Sequence, residues 1–421
     1  MSSFRSPVGY PNVLGMVMAG GEGSRLHPLT NERAKPAVFF GGKYRVIDFV
    51  LNNFINSGIF KIKVLTQFKS DSLIQHLNSG WSLNRMLGQY VDPVPAQMRT
   101  GRNWYMGTAD AVFQNLNIIA DENPDYIAVF GADHIYKMDI SQMLDFHRHA
   151  EAVATVAAMP KPVGEAHQFG IIEVDTNGKM IGFEEKPTHP KTIPGNPSKC
   201  LISMGNYIFN KKFLVRELFN DAGMQNSSHD FGKDVFSTIY KDYPIYVYDY
   251  THNRIPGELN THHCYWKDVG TLESYFDANM TLRSIDPELN IYNDAWPIRT
   301  APGQSPPAKF VYAGVGSDKH MGEAHDSIVS GGCVLSGGRV LRSVLSRGVR
   351  VNNNAVVEDS ILFPDVVIGE HARVRRTIID RGAVIAPNDS IGFNVEADKK
   401  RFTVSESGIV VVGQPSANYF L

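Results

Sequence analysis

Val13-Leu14-Gly15-Met16-Val17-Met18-Ala19-Gly20-Gly21-Glu22-Gly23-Ser24-Arg25-Leu26 runs from a largely apolar stretch straight into three glycines and an arginine, and Arg33-Ala34-Lys35-Pro36 follows closely. The apolar run is too short to span a bilayer and lacks a signal-peptide cleavage context, so it reads as a first strand. Glycines after a strand let backbone N–H groups approach phosphate oxygens, and Arg25 and Lys35 add charge-assisted contacts to the same anion. The loop is not the dinucleotide fingerprint, because Leu26 stands at the third glycine position; nor is it a Walker A loop, because no Gly-Lys-Ser/Thr follows. A merely tight strand-to-loop turn is the plain alternative. Two cations within twelve residues favour the phosphate cradle.

Outward from this stretch, helix-like patterns over 47–57, 73–81 and 109–119 alternate with apolar runs over 62–66 and 126–130. Such alternation predicts a parallel sheet covered by helices, with Thr108 as N-cap of the 109–119 helix. Ligands of open α/β sheets sit at the carboxyl ends of the strands, where Gly20 and Asp133 fall. A proline-rich stretch over 286–320, with Pro297, Pro302, Pro306 and Pro307, shows no sustained period and reads as a connection between domains. Beyond it apolar residues recur every sixth position: Val334 and Val340; Leu345, Val351, Val357 and Phe363; Ile368 and Val374; Ile379, Ile385 and Ile391. Between those four blocks the step shortens to five. With Gly331, Gly338, Gly348, Asn353, Gly369 and Gly382 at the corners, this is the spacing of a hexapeptide-repeat parallel β-helix. An antiparallel sandwich would instead alternate with period two and show hairpin dipeptides.

The 421 residues suit two or three domains at roughly 150 each. A formal charge of -2 points to no sequence-independent grip on nucleic acid. Cys200, Cys264 and Cys333 are odd in number and contain no CxxC, so neither a disulfide framework nor a thiolate zinc site is indicated and a reducing cytoplasm fits; the short apolar run at Val13 predicts no membrane association.

Among residues that can do chemistry, Asp133 and Asp268 are carboxylates from distant segments. Mg²⁺ takes one or two protein carboxylates plus phosphate oxygens, so the pair would suit a magnesium nucleotide; singly, each reads equally as a cap or turn residue. Glu185-Lys186-Pro187 reads as a solvated strand end as readily as a site. Gln97 and the segment Trp104-Tyr105-Met106-Gly107 offer an amide, aromatic rings and a close-approach glycine, the parts needed to hold a purine, against a core-packing alternative. The pairs His147/His149 and His262/His263 are spaced at i,i+2 and i,i+1, and neither converges on a metal from a helix.

Assembled, Gly20-Gly21-x-Gly23-x-Arg25-Leu26, Arg33-Ala34-Lys35-Pro36-Ala37-Val38-x-Phe40-Gly41-Gly42, Trp104-Tyr105-x-Gly107-Thr108-Ala109-Asp110-Ala111, Asp133-His134-Ile135-Tyr136, Glu185-Lys186-Pro187, Ser203-Met204-Gly205 and Asp268-Val269-Gly270-Thr271 resemble the bacterial glucose-1-phosphate adenylyltransferases, from about residue 13 to the C-terminus. The glycine loop is shared by sugar nucleotidyltransferases generally; the Lys35 and Trp104 stretches are more specific. The resemblance implies an α/β, Rossmann-like nucleotidyltransferase domain over 1–285, a linker over 286–320, and a left-handed parallel β-helix over 321–421 serving regulation and oligomerisation. It implies transfer of the adenylyl group of ATP to α-D-glucose 1-phosphate with Mg²⁺, giving ADP-glucose and pyrophosphate at the entry to glycogen or related α-glucan synthesis. By the same resemblance Arg25 and Lys35 hold the leaving pyrophosphate, Asp133 and Asp268 hold Mg²⁺, and Lys186 pairs with the sugar phosphate. Gly20, Gln97, Tyr105 and Gly107 line the nucleotide pocket, while Gly170, Glu185 and Ser203 lie near the glucose ring. Arg33, Arg45 and Arg381 gather around an anionic allosteric effector, and the assembly is a homotetramer.

Departures from the family pattern include Asn52 where Ser is common and Glu32 where well-studied relatives carry a cation that binds a sugar-phosphate activator. Neither removes a catalytic group. Rival readings are a uridylyl- or guanylyltransferase of the same fold, a non-catalytic regulatory subunit, and a β-helix acyltransferase, for which the repeats from Val334 onward hold only His371 as a candidate base, more simply read as a surface corner histidine.

Overall fold

The computed structural model describes residues 11–99, 104–258, 264–314 and 320–414; the His262/His263 pair lies outside them. Val13–Ala19 is the middle of a mixed nine-stranded sheet, parallel to Lys61–Thr66 on one side and to Tyr126–Gly131 on the other. From one edge the strands run Met180–Glu185, Gly170–Val174, Lys199–Asn210, Tyr126–Gly131, Val13–Ala19, Lys61–Thr66 and Tyr90–Pro95. The three nearest Met180 are joined antiparallel, so the sheet is not all-parallel as the alternation suggested. Ala154–Pro162 pairs with Lys199–Asn210 and carries Ile245–Asp249 beside it. Helix Val46–Asn56 covers one face, pressing the Phe54 ring onto Gly15, where a Cβ would come within 2.9 Å of it.

The expected 109–119 helix is two, Thr108–Phe113 and Leu116–Glu122. Between them the Asn115 N–H reaches back only three residues, to Val112 O, and its amide donates to Ala111 O and Tyr105 Oη. The N-cap is Gly107, not Thr108. The Thr108 hydroxyl instead donates to Asp230 Oδ2 and accepts from Phe231 N–H.

Residues 339–391 wind through three stacked parallel sheets with partners seventeen residues apart: Val340, Val357, Val374 and Ile391; Val351, Ile368 and Ile385; Leu345, Leu362 and Ile379. This is the parallel β-helix that the sixfold spacing predicts. Two positions differ. The inward residue after Val357 is Leu362, and Phe363 points out of the rungs toward the catalytic domain; likewise Leu335, fully buried, replaces the half-buried Val334. The corner glycines Gly348 and Gly382 take left-handed backbone, whereas Gly332, Gly337 and Asn354 do so beside the expected Gly331, Gly338 and Asn353. Strand Lys309–Ala313 already pairs with Val334–Ser336, ahead of the expected start at 321. A corner is tied by a hydroxyl ladder in which Ser343, Ser360 and Thr377 N–H groups donate to Ser327, Ser343 and Ser360 Oγ. His371 sits exposed at another corner.

The proline-rich stretch before Lys309 has no helix or strand, yet it is fastened along helix Val46–Asn56. The Asn52 amide takes both backbone groups of Arg299, at 2.8 Å each, and Asn56 donates to Pro297 O. Buried Asp48 accepts from Thr300 Oγ1, His76 Nε2, Trp81 Nε1 and Arg45 N–H. A Cβ on Gly80 would lie 2.4 Å from Ala301 Cα, so only glycine lets the strap pass.

Candidate active site

The carboxyl ends of Val13–Ala19 and its neighbours open into a cleft of about 690 Å³. Gly20, Gly21 and Gly23 form its lip. Gly23 has φ of 69°, and a Cβ there would meet Lys35 Cβ at 2.9 Å, so the loop and the base of the Lys35 side chain are locked together.

Asp133 follows strand Tyr126–Gly131. A short antiparallel ribbon brings Asp268 beside it: Trp266–Asp268 pairs with His134–Tyr136 in the register Asp268 to His134. Lys35 Nζ lies between the two carboxylates, 2.9 Å from Asp133 Oδ2 and 2.8 Å from Asp268 Oδ1, while Arg25 Nη2 stands 3.9 Å from Asp268 Oδ2. Burial alone would pull the Lys35 ammonium down; Asp133 and Asp268 outweigh it and hold it above the usual lysine range. Burial would push Asp133 up, and Lys35 and His134 instead hold it well below the usual carboxylate range. Both partners are thus charged at neutral pH. Among the described residues Asp133, His134 and Asp268 bring ligand atoms within 4.8 Å of one another, a hard-oxygen donor pair plus an imidazole that fits a divalent cation.

On the other side of the cleft, Glu185 is paired in register with Gly170, where a Cβ would meet the Phe183 ring at 2.6 Å and Glu185 Oε2 at 2.9 Å. Burial raises the Glu185 carboxyl, with Lys186 opposing and Asp230 adding. Lys186, 60 % exposed, lines the cleft with its Nζ 3.3 Å from Glu185 Oε1. Ser203 lines the same half, where its Oγ accepts the Gly205 N–H.

Tyr105 and Gly107 line the cleft as the sequence suggests. A Cβ on Gly107 would meet His229 O at 2.2 Å, so the glycine lets two backbones touch. Gln97 does not reach the cleft: it is exposed and its amide donates to Pro95 O. Gln67 is there instead, accepting the Tyr105 N–H at 2.7 Å. It follows strand Lys61–Thr66 directly, the same carboxyl-end signal that singled out Gly20 and Asp133. Asp230, joined to Thr108 and capping the Gly232 and Lys233 N–H groups, also lines the cleft, and its signal is tertiary only.

Away from the cleft, Arg33, Arg45 and Arg381 meet where the two domains join. Arg33, buried, pairs with Asp380 at 2.9 Å and donates to Gln414. Burial lowers the Arg45 guanidinium to about 10 against the pull of Asp48, and the charges of Arg33, Arg381 and Arg347 push the same way. Arg381 lies 3.8 Å from Asp365. No described helix is long and apolar enough to cross a membrane.

A glycine loop at the carboxyl edge of this sheet, faced by paired carboxylates and backed by hexapeptide rungs, defines the nucleotidyl transferase class. The family model described as "Nucleotidyl transferase" matches residues 14–285, and "GlmU-like, C-terminal hexapeptide" matches residues 306–412. Relatives named glucose-1-phosphate adenylyltransferase from Anaeromyxobacter sp. (strain Fw109-5) and Aliivibrio fischeri (strain ATCC 700601 / ES114) are 53 % identical over 401 residues and 51 % over 402, each covering 95 % of this chain and 97 % of the relative. The chain belongs to the glucose-1-phosphate adenylyltransferase family.

Proposed function

We propose that the chain transfers the adenylyl group of ATP to α-D-glucose 1-phosphate, giving ADP-glucose and pyrophosphate as the entry step of glycogen or a related α-glucan. The convergence of Asp133, Asp268, Lys35 and Arg25 at the glycine loop is the observation that carries the reading. Displacement at the α-phosphorus by a sugar-phosphate oxygen needs no covalent nucleophile; it needs two anions aligned and charge offset as the bond to pyrophosphate breaks. Arg25 and Lys35 take the leaving pyrophosphate. Lys186 orients the sugar phosphate, and Glu185, Ser203 and Gly170 border the glucose ring. Tyr105, Gly107 and Gly20 border the nucleotide, with Gln67 fixing the Tyr105 backbone; Gln97 takes no part. Asp133 and Asp268 hold a divalent cation, Mg²⁺ in this reading, which supplies charge neutralisation at the transferring phosphate. The paired charges and the three free thiols fit a cytoplasmic enzyme, and the family suggests a homotetramer. Pyrophosphate release measured with ATP, UTP, GTP and dTTP against several sugar 1-phosphates tests the proposal. ATP with glucose 1-phosphate should be fastest; a preference for UTP or GTP would overturn the assignment, and no release with any pair would favour a regulatory subunit.

The arginines at the domain junction support regulation by an anionic metabolite. An anion bound there favours whichever arrangement of the two domains brings Arg45 and Arg381 together, and Arg33 joins them by exchanging buried Asp380 for the anion. Exposed Glu32, next to Arg33, opposes multiply charged effectors. In this reading the division of labour is 1–285 catalytic, 286–320 connecting and 321–421 regulatory and oligomeric, with the first rung borrowed from the connection.

A further inference from the structure

We propose that Lys35 and the divalent cation compete for the same pair of carboxylates, so that loading the metal expels the ammonium from between Asp133 and Asp268 and delivers it to the phosphate side of the cleft. The inference rests on the reading of Asp133 and Asp268 as cation ligands. Lys35 Nζ spans them at 2.9 and 2.8 Å, and the side chain is only 7 % exposed. An ion bridging Asp133 Oδ2 and Asp268 Oδ1, the two oxygens the ammonium contacts, needs them at about 2.0–2.1 Å, inside the space the ammonium takes, and two cations cannot share that space. The backbone of Lys35 is held: it opens the turn Lys35–Ala37, is followed by Pro36, and its Cβ lies against Gly23. Only the outer methylenes and the ammonium are left to swing, and next to that fixed stem runs the glycine loop, with open space at Gly21. Before the metal arrives the lysine offsets one of the two carboxylate charges; afterwards it becomes a phosphate ligand. One residue thereby links metal loading to assembly of the pyrophosphate subsite.

The test uses the full wild-type chain titrated with Mn²⁺, with occupancy read by electron paramagnetic resonance and the accessibility of Lys35 read by acetic anhydride labelling and peptide mass spectrometry. A freed amine is both more exposed and less paired, so Lys35 acetylation should rise about fivefold or more over the same Mn²⁺ range that fills the site. Mn²⁺ that fills the site with Lys35 labelling unchanged or reduced would overturn the competition and leave the carboxylate reading standing. Absence of Mn²⁺ binding, or binding indifferent to Asp268→Asn, would overturn both. As a second measurement, Lys35→Met should bind Mn²⁺ roughly tenfold tighter than wild type, whereas Arg25→Met, which removes a nearby charge but no occupant, should gain no more than about threefold. Equal gains in the two variants would mean that charge alone is at work and would contradict the proposal.

Discussion

The ring of Phe363 in the β-helix meets the ring of Phe39 in the catalytic domain edge-on, with centroids 5.3 Å apart, and stands 6.3 Å from Tyr275. Phe363 is 1 % exposed and belongs to a cluster in which Val38 and Phe40 pack with Val344, Ile361 and Ile378. Phe363→Ala should therefore loosen the join between domains, at a cost of about 3 kcal/mol, rather than unravel the rungs. Hydrogen exchange should show lost protection around Phe39–Phe40 and helix Leu272–Thr281. Loss confined to residues 345–385 would contradict this.

Lys186 is proposed to touch the sugar phosphate in ground and transition states alike. Lys186→Ala should raise the KM for glucose 1-phosphate far more than that for ATP. Equal changes in the two values would show that the residue sits elsewhere in the reaction.

Regulation gives a third expectation. Glu32 is exposed beside Arg33, so it repels each added negative charge on an effector, an effect that solvent and salt screen. Fructose 1,6-bisphosphate should activate more poorly than a monophosphate or pyruvate, and Glu32→Lys should improve it selectively. Activation curves for the two proteins decide; tight bisphosphate activation of wild type, or no change on charge reversal, would count against the idea.

His147 is buried between Thr155 Oγ1 at 2.7 Å and Asn210 Oδ1 at 3.2 Å, and burial lowers it from 6.5 to about 4. Between those values the unfolded chain binds the proton and the folded chain does not, so stability is full above about pH 6.5 and falls as pH drops toward 4, by at most about 3 kcal/mol. His147→Asn should flatten the pH dependence of the unfolding midpoint in that window. An unchanged slope would show that other groups set it.

Local pattern carried the fold a long way, and long-range contact decided the rest. The strand-to-glycine transition at Ala19–Gly20 and the sixfold spacing from Val340 are repeats of one physical requirement within a few residues, and both are legible. Spacing shows that an apolar residue recurs, not which of two neighbours, Leu362 or Phe363, faces the rung core, and the structure turns Leu362 inward. Asp133 and Asp268 were each ambiguous because the ribbon pairing Asp268 with His134 joins segments far apart in the chain. Gln97 has the motif-like neighbours, whereas Gln67, directly after strand Lys61–Thr66, accepts the Tyr105 N–H and shows in the sequence only by that position. The strap before Lys309 has no period because side chains of Asp48, Asn52 and Asn56 hold its backbone, so its order lies in another part of the sequence.

Asp133 is a carboxylate at the carboxyl end of the sheet, and Asp133→Asn keeps the shape while removing the charge. Turnover of the variant with ATP and glucose 1-phosphate at saturating Mg²⁺ is the direct measurement. It should fall by about a hundredfold or more, equivalent to about 3 kcal/mol of transition-state stabilisation. Turnover near that of wild type under the same conditions would contradict the assignment of this cleft as the site of adenylyl transfer.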